Sequence, residues 1–200
     1  MRILHSTLMI ACCSLVLCCA KKREEPSHPA FTKADSLTEY YLALQDSLLH
    51  TWNLMINDDN KKIKTLRNLL HELEVTHPEE KARYTVLSDR IDQLNRLRYT
   101  QKSMANEDVV AEYDLATNTL IDELVSEAES KPQYSYNTTL QILVEQIGVA
   151  EERMINYRQE YDSIVFTYNR FLENNLQYLS ETEEGATLRK KPLFQAVSEE

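Results

Sequence analysis

Few residues in this chain have the type and spacing that covalent chemistry needs. Beyond the proline-containing stretch of Ala20 to Ala34, Glu74-Val75-Thr76-His77 is the single Glu-x-x-His. A carboxylate-bridged di-metal site in a helical bundle needs that motif on two helices, with a glutamate from each of the other two. His50 and His71 have no glutamate three residues earlier, so no metal site is expected. All four cysteines, Cys12, Cys13, Cys18 and Cys19, precede residue 20. The body beyond them therefore has no thiol nucleophile, disulfide framework or cysteine-based zinc site. No Gly-x-Ser-x-Gly turn is present to expose a nucleophilic serine, and two glycines in 200 residues are too few for a phosphate-cradling loop. The expectation is a protein that is not an enzyme and has no cofactor. The groups that remain bind by hydrogen bonds and ring contacts: Arg158, Tyr161, Tyr168 and Asn169, within a chain unusually rich in tyrosine (eleven).

The elements that must position these groups read as helices. β-rich folds use glycine in their turns and bulges, and this chain has almost none. Apolar residues recur at helical spacing from Leu37 through Tyr41, Leu44, Leu48 and Met55, then from Ile63 to Leu73. The pattern predicts one long helix, Asp35 to Val75, opened by the capping box Ser36-x-x-Glu39. Its apolar face should shift near Asp58, where Asn57-Asp58-Asp59-Asn60-Lys61-Lys62 interrupts the stripe. His77-Pro78 stops it and starts a second helix carrying Tyr84, Leu87, Ile91, Leu94 and Leu97 to about Ser103. Asn106 caps a third, with Val110, Tyr113, Leu120 and Leu124 inward, ending near Ser130 before Lys131-Pro132. Asn137 caps the fourth. There Leu140, Leu143, Ile147, Ala150, Met154, Tyr157, Tyr161, Ile164, Tyr168, Phe171, Asn175 and Tyr178 alternate by three and four, the period of a left-handed coiled seam. Gly148 within that helix is expected at a close helix contact. The expected fold is all-α, an antiparallel up-down four-helix bundle with long first and last helices. Those two should run roughly 60 Å and the middle pair roughly 40 Å.

The N-terminus gives an address. Met1-Arg2 precedes an apolar run from Ile3 to Leu17, which ends in Cys18-Cys19-Ala20. A positive start, a short apolar core and a small-residue cleavage zone make a secretory signal, and the closing cysteine makes it a bacterial lipoprotein signal. Cleavage before Cys19 and acylation of that residue is favoured. Cys18 is the other frame, with bulky Leu17 beside the cut. An uncleaved single-pass signal anchor is a second alternative, although the run is near the lower limit of a span. Residues 1–18 thus read as signal, 19–34 as a polar tether containing two of the five prolines, 35–180 as the bundle and 181–200 as a tail. A net charge of −10 and the lack of a basic stripe argue against nucleic acid.

Part of the last helix carries a family likeness. Glu151-Glu152-Arg153-Met154-Ile155, then Arg158, Tyr161, Val165, Tyr168, Asn169 and Phe171, resemble the signature of the LemA family. Asp162 stands where that signature has its first asparagine, and Leu172 where it has proline. Lys131-Pro132 to Leu140, Thr51-Trp52, Leu66 to Leu70, Gly185 and Lys191-Pro192-Leu193-Phe194 resemble further segments of the family. The basic run of the family's first helix is missing. The resemblance implies an antiparallel helical bundle held at a bacterial cell envelope, with no established enzymatic activity and an unknown envelope protein partner. It leaves Arg158, Tyr161, Asp162, Tyr168 and Asn169 as candidate binding residues. The alternative to a scaffold is a small-ligand site inside the bundle. That site would need Arg158 and Asn169 to converge on a cavity beside Tyr161 and Tyr168.

Overall fold

The computed structural model describes residues 32–182 and 188–194. The signal, Cys18, Cys19 and the tether up to residue 31 lie outside the described residues. The chain divides into two compact units, Met1–Lys33 and Ala34–Glu200; the fold below is that of the second.

Four α-helices follow in order: α1 (Lys33–Thr76), α2 (Lys81–Leu97), α3 (Glu107–Ser130) and α4 (Thr138–Thr182). No strand occurs among the described residues, so the all-helical expectation holds. The three connections are short 3-10 turns, Pro78–Glu80, Ser103–Ala105 and Pro132–Ser135. Each is built from local chemistry. Pro78 and Pro132 each sit in the first turn, where no N–H is needed. Asn106 Oδ1 accepts from the Asp108 amide at 3.1 Å, and Asn137 Oδ1 from the Leu140 amide at 3.2 Å. Both are side-chain caps that satisfy orphan donors of α3 and α4.

Two boundaries and one glycine differ from expectation. Helix α1 begins at Lys33, which puts Ser36 inside the first turn, so the Ser36-x-x-Glu39 pair is not the cap. Helix α2 is 17 residues long, about 26 Å, and ends at Leu97 rather than near Ser103. Arg98 turns extended, and Thr100 and Ser103 then cap each other: each amide donates to the other hydroxyl, at 2.8 and 3.1 Å. The early stop releases Tyr99 into the core, where it is 4% exposed. Gly148 is exposed, and a methyl group added there would meet no heavy atom within 4 Å, so it marks no close contact.

The core runs along all four helices. Leu66, Leu69, Leu73, Ile91, Leu124, Leu140 and Val165 are completely or almost completely excluded from solvent. On α4 the expected seam holds from Leu140 to Tyr161, with Tyr157 half-buried, and then moves over by one residue. Val165, Leu172 and Leu179 are buried, whereas Ile164 and Phe171 are half-buried and Tyr178 is exposed. Two successive steps of four, Tyr157 to Tyr161 to Val165, make the shift. A 3.6-residue helix drifts against a strict 3.5 repeat, and an extra step of four absorbs the drift.

The polar stretch of α1 does not interrupt the stripe. Asp58, Asp59 and Lys62 are 5%, 2% and 4% exposed and continue the buried face from Thr51 and Met55 toward Leu66. One helix persists there because its charges are answered from other elements. Arg153 Nε donates to Asp58 Oδ2 at 2.5 Å. Asp59 Oδ2 accepts from the Tyr113 hydroxyl at 2.6 Å and pairs with Arg98 at 2.8 Å. Lys62 lies 3.4 Å from Asp59 Oδ1 and donates to Glu151 at 2.7 Å. Asp58, Asp59 and Glu151 are thus answered by Arg153, Arg98 and Lys62, with exposed Lys61 also 3.5 Å from Asp58. The layer is built by α1, α4 and the residue after α2, and Tyr113 of α3 donates into it. Burial, reinforced by Asp59, pushes the Tyr113 hydroxyl well above its usual range.

Candidate functional site

The candidate residues of α4 lie on neighbouring faces. Arg158, Asp162, Val165 and Asn169 follow at steps of four, three and four, which aligns them along one helix face. Tyr161 and Tyr168 point inward, each 1% exposed. Tyr168 stacks on Tyr41 of α1 at 5.9 Å between ring centroids. Tyr161 meets Trp52 at 5.8 Å and Phe194 at 5.5 Å. Burial pushes its hydroxyl up to about 12, with Asp162 adding to the effect.

Arg158 is engaged on three sides. Its Nη1 and Nη2 donate to the Asp114 carboxylate of α3 at 2.7 and 2.6 Å, a bidentate pair, and Nη2 donates to the Tyr99 hydroxyl at 2.9 Å. The guanidinium also lies over the Phe194 ring, 4.9 Å from its centroid, within cation–π range. Burial alone would disfavour the charge, but the Asp114 and Tyr99 contacts outweigh it and keep Arg158 firmly protonated. Tyr99 is held up to about 12 by burial, with Arg158 pulling against it.

Asp162 and Asn169 face the chain's own tail. Asn169 Nδ2 donates to the Lys191 carbonyl at 2.9 Å, and its Oδ1 accepts from the Lys191 amide at 2.8 Å. Asp162 Oδ1 accepts from the Phe194 amide at 2.8 Å. The spacing matches by arithmetic. Seven helical residues rise about 10.5 Å, and three extended residues cover about 10 Å. Pro192 disfavours a helical Lys191, and in an extended residue the N–H and C=O point to the same side. A carboxamide that offers one donor and one acceptor therefore pairs with both. The segment ends with Phe194 inside a box of Trp52, Tyr99 and Tyr161, at 6.5, 5.6 and 5.5 Å between centroids. Leu188 and Leu193 pack on the core beside it.

Arg158 and Asn169 are each bonded to the chain's own groups, Asp114 and Tyr99 for the one and Lys191 for the other. The cleft between α1 and α4, about 480 Å³, is bounded by His50, Thr51, Glu160, Ser163 and Thr167 among others. Tyr161 borders a smaller one of about 220 Å³, together with Leu48, Gln101 and Lys191. His77 of the Glu-x-x-His is hydrogen-bonded to Gln133 at 2.7 Å. Among the described residues no group of three or more histidine, cysteine or acidic side chains is placed to hold a metal ion. Nor is any helix there long and apolar enough to cross a membrane.

Sequence reasoning did not assign Tyr99, Asp114 or Phe194 to this site, nor Asp58, Asp59 and Lys62 to the core. For the latter a signal existed: Asp58 and Asp59 follow Met55 at three and four residues, in register with the stripe. Tyr99 and Asp114 carried none, because they reach Arg158 only through the folding of the α2–α3 connection. No family model, no curated protein and no solved structure matches this chain.

Proposed function

We propose that this chain is a LemA-like envelope lipoprotein, anchored through a lipid on Cys19, whose helices form a non-catalytic scaffold for protein interaction. Its fold is an antiparallel up-down four-helix bundle with left-handed packing. Cross-helix partners whose numbers rise on one helix and fall on the next support that arrangement: Asn60–Arg98 and Arg67–Asp92 between α1 and the α2 region, Lys62–Glu151 and Thr51–Glu160 between α1 and α4.

One observation carries the scaffold reading. Arg158, Asp162 and Asn169 are turned to the chain's own groups. The signal and the polar tether carry the anchoring. Metabolic labelling with a fatty-acid analogue should mark the wild-type chain and not the chain with Cys18→Ser and Cys19→Ser; label retained by the double variant contradicts the anchor. Cross-linked envelopes should yield a reproducible protein partner, and repeatedly empty captures contradict the scaffold.

A further inference from the structure

The tail contact has the anatomy of a ligand held in a receptor. Helix α4 reads Lys191 through backbone atoms alone, and Phe194 through one amide and one ring pocket. Recognition of main chain at one point and an aromatic side chain at another is how proteins take up extended peptides. The Lys190 side chain pairs with the exposed Glu173 at the rim, and Leu188 and Leu193 add apolar contact, so the polar part of the grip is to backbone and the ring pocket takes Phe194.

We propose that this face of α4 is a peptide-docking groove, occupied in cis by residues 188–194, and that its ligand in trans is an extended segment of another protein with the pattern x-Pro-x-aromatic. The tail then acts as a resident competitor, and the groove opens when the tail leaves. The proposal rests on the scaffold reading and names the chemistry of the scaffold's partner. Asn169 selects an extended residue before proline, Asp162 requires a free amide three residues on, and the Trp52–Tyr99–Tyr161 box beneath Arg158 selects the ring.

The probe is the synthetic peptide Leu-Arg-Lys-Lys-Pro-Leu-Phe-Gln, and the receptor is the full-length Phe194→Ala chain, whose box lacks its ring. Trp52, the only tryptophan, forms one wall and reports occupancy by fluorescence. A saturable emission change is expected. It should weaken at least tenfold when alanine replaces phenylalanine in the peptide, and at least tenfold when Asn169→Ala is added to the receptor. No saturable change in a receptor with intact helical circular dichroism overturns the proposal, and so does equal binding of the alanine peptide. If Phe194→Ala loses its helical signal, the wild-type chain is tested with a peptide carrying a photo-cross-linker at the phenylalanine position. Adducts on Trp52, Tyr99 or Tyr161 support the groove, and adducts elsewhere or none overturn it. An envelope partner captured while the peptide fails leaves the scaffold standing and removes only this groove.

Discussion

Two polar regions of this molecule use similar residues to opposite ends. The layer around Asp58, Asp59 and Lys62 joins helix to helix, each buried charge answered by another from a distant part of the chain. The face around Arg158, Asp162 and Asn169 joins a helix to the backbone of residues 191–194, which follow the last helix. Charges buried between helices add little net stability but are costly to orphan. Hydrogen bonds to the backbone of a segment outside the helices can break without removing a helix-to-helix contact. The first region should behave as part of the global fold, and the second as a local latch.

The largest test breaks the layer. Asp59→Ala leaves Arg98, Lys62 and the Tyr113 hydroxyl without their shared acceptor, and the expected loss is about 3–5 kcal/mol of unfolding free energy, read as the midpoint in urea. A loss below about 1 kcal/mol would show that the layer is not coupled to the fold.

Alkali tests the latch region next. Tyr99 is held up to about 12 against an ordinary value of 10.0. Below pH 10 the folded and unfolded chains bind that proton alike. Above it the unfolded chain releases the proton first, so stability falls between pH 10 and 12 by about 1.4 kcal/mol per pH unit for this group. Tyr161 acts in the same direction. Tyr99→Phe should flatten the decline in stability measured across that range; an unchanged slope assigns the titration elsewhere.

Phe194→Ala should cost about 2 kcal/mol, less than a fully buried ring would, because Phe194 is only half-buried. Trp52 emission should shift to the red while far-ultraviolet circular dichroism stays constant, which separates the latch from the layer. The smallest effect has the opposite sign. Gly148→Ala is exposed, in mid-helix and free of any contact, and should stabilise by about 0.5–1 kcal/mol in thermal denaturation.

What the sequence disclosed followed the range of the physics. Pro78, Pro132, Asn106 and Asn137 act on their immediate neighbours, so three of the four helix starts were legible from a few residues each. Leu140 to Tyr161 could be read because its period repeats. The shift to Val165 could not, because drift accumulates over several turns and is resolved by the partner helices. Asp58 and Asp59 looked like an interruption because their answering charges, Arg98 and Arg153, come from 39 and 95 residues further on. The end of α2 was misplaced for a related reason. Nothing within Arg96 to Ser103 says that Tyr99 belongs in an aromatic box completed by Phe194. Asn169 and Asp162 were legible as candidates, but not their object, which is backbone and carries no sequence signature.

Amide hydrogen exchange, resolved by residue, tests the latch most directly. The amides of Lys191 and Phe194 should be protected in the wild-type chain. Asn169→Ala should speed exchange at Lys191 and Asp162→Ala at Phe194, each by at least tenfold, while the amides of Leu66, Ile91, Leu124 and Val165 keep their protection. Unprotected tail amides in the wild type, or tail and core amides accelerating together, would contradict a tail held independently of the helices.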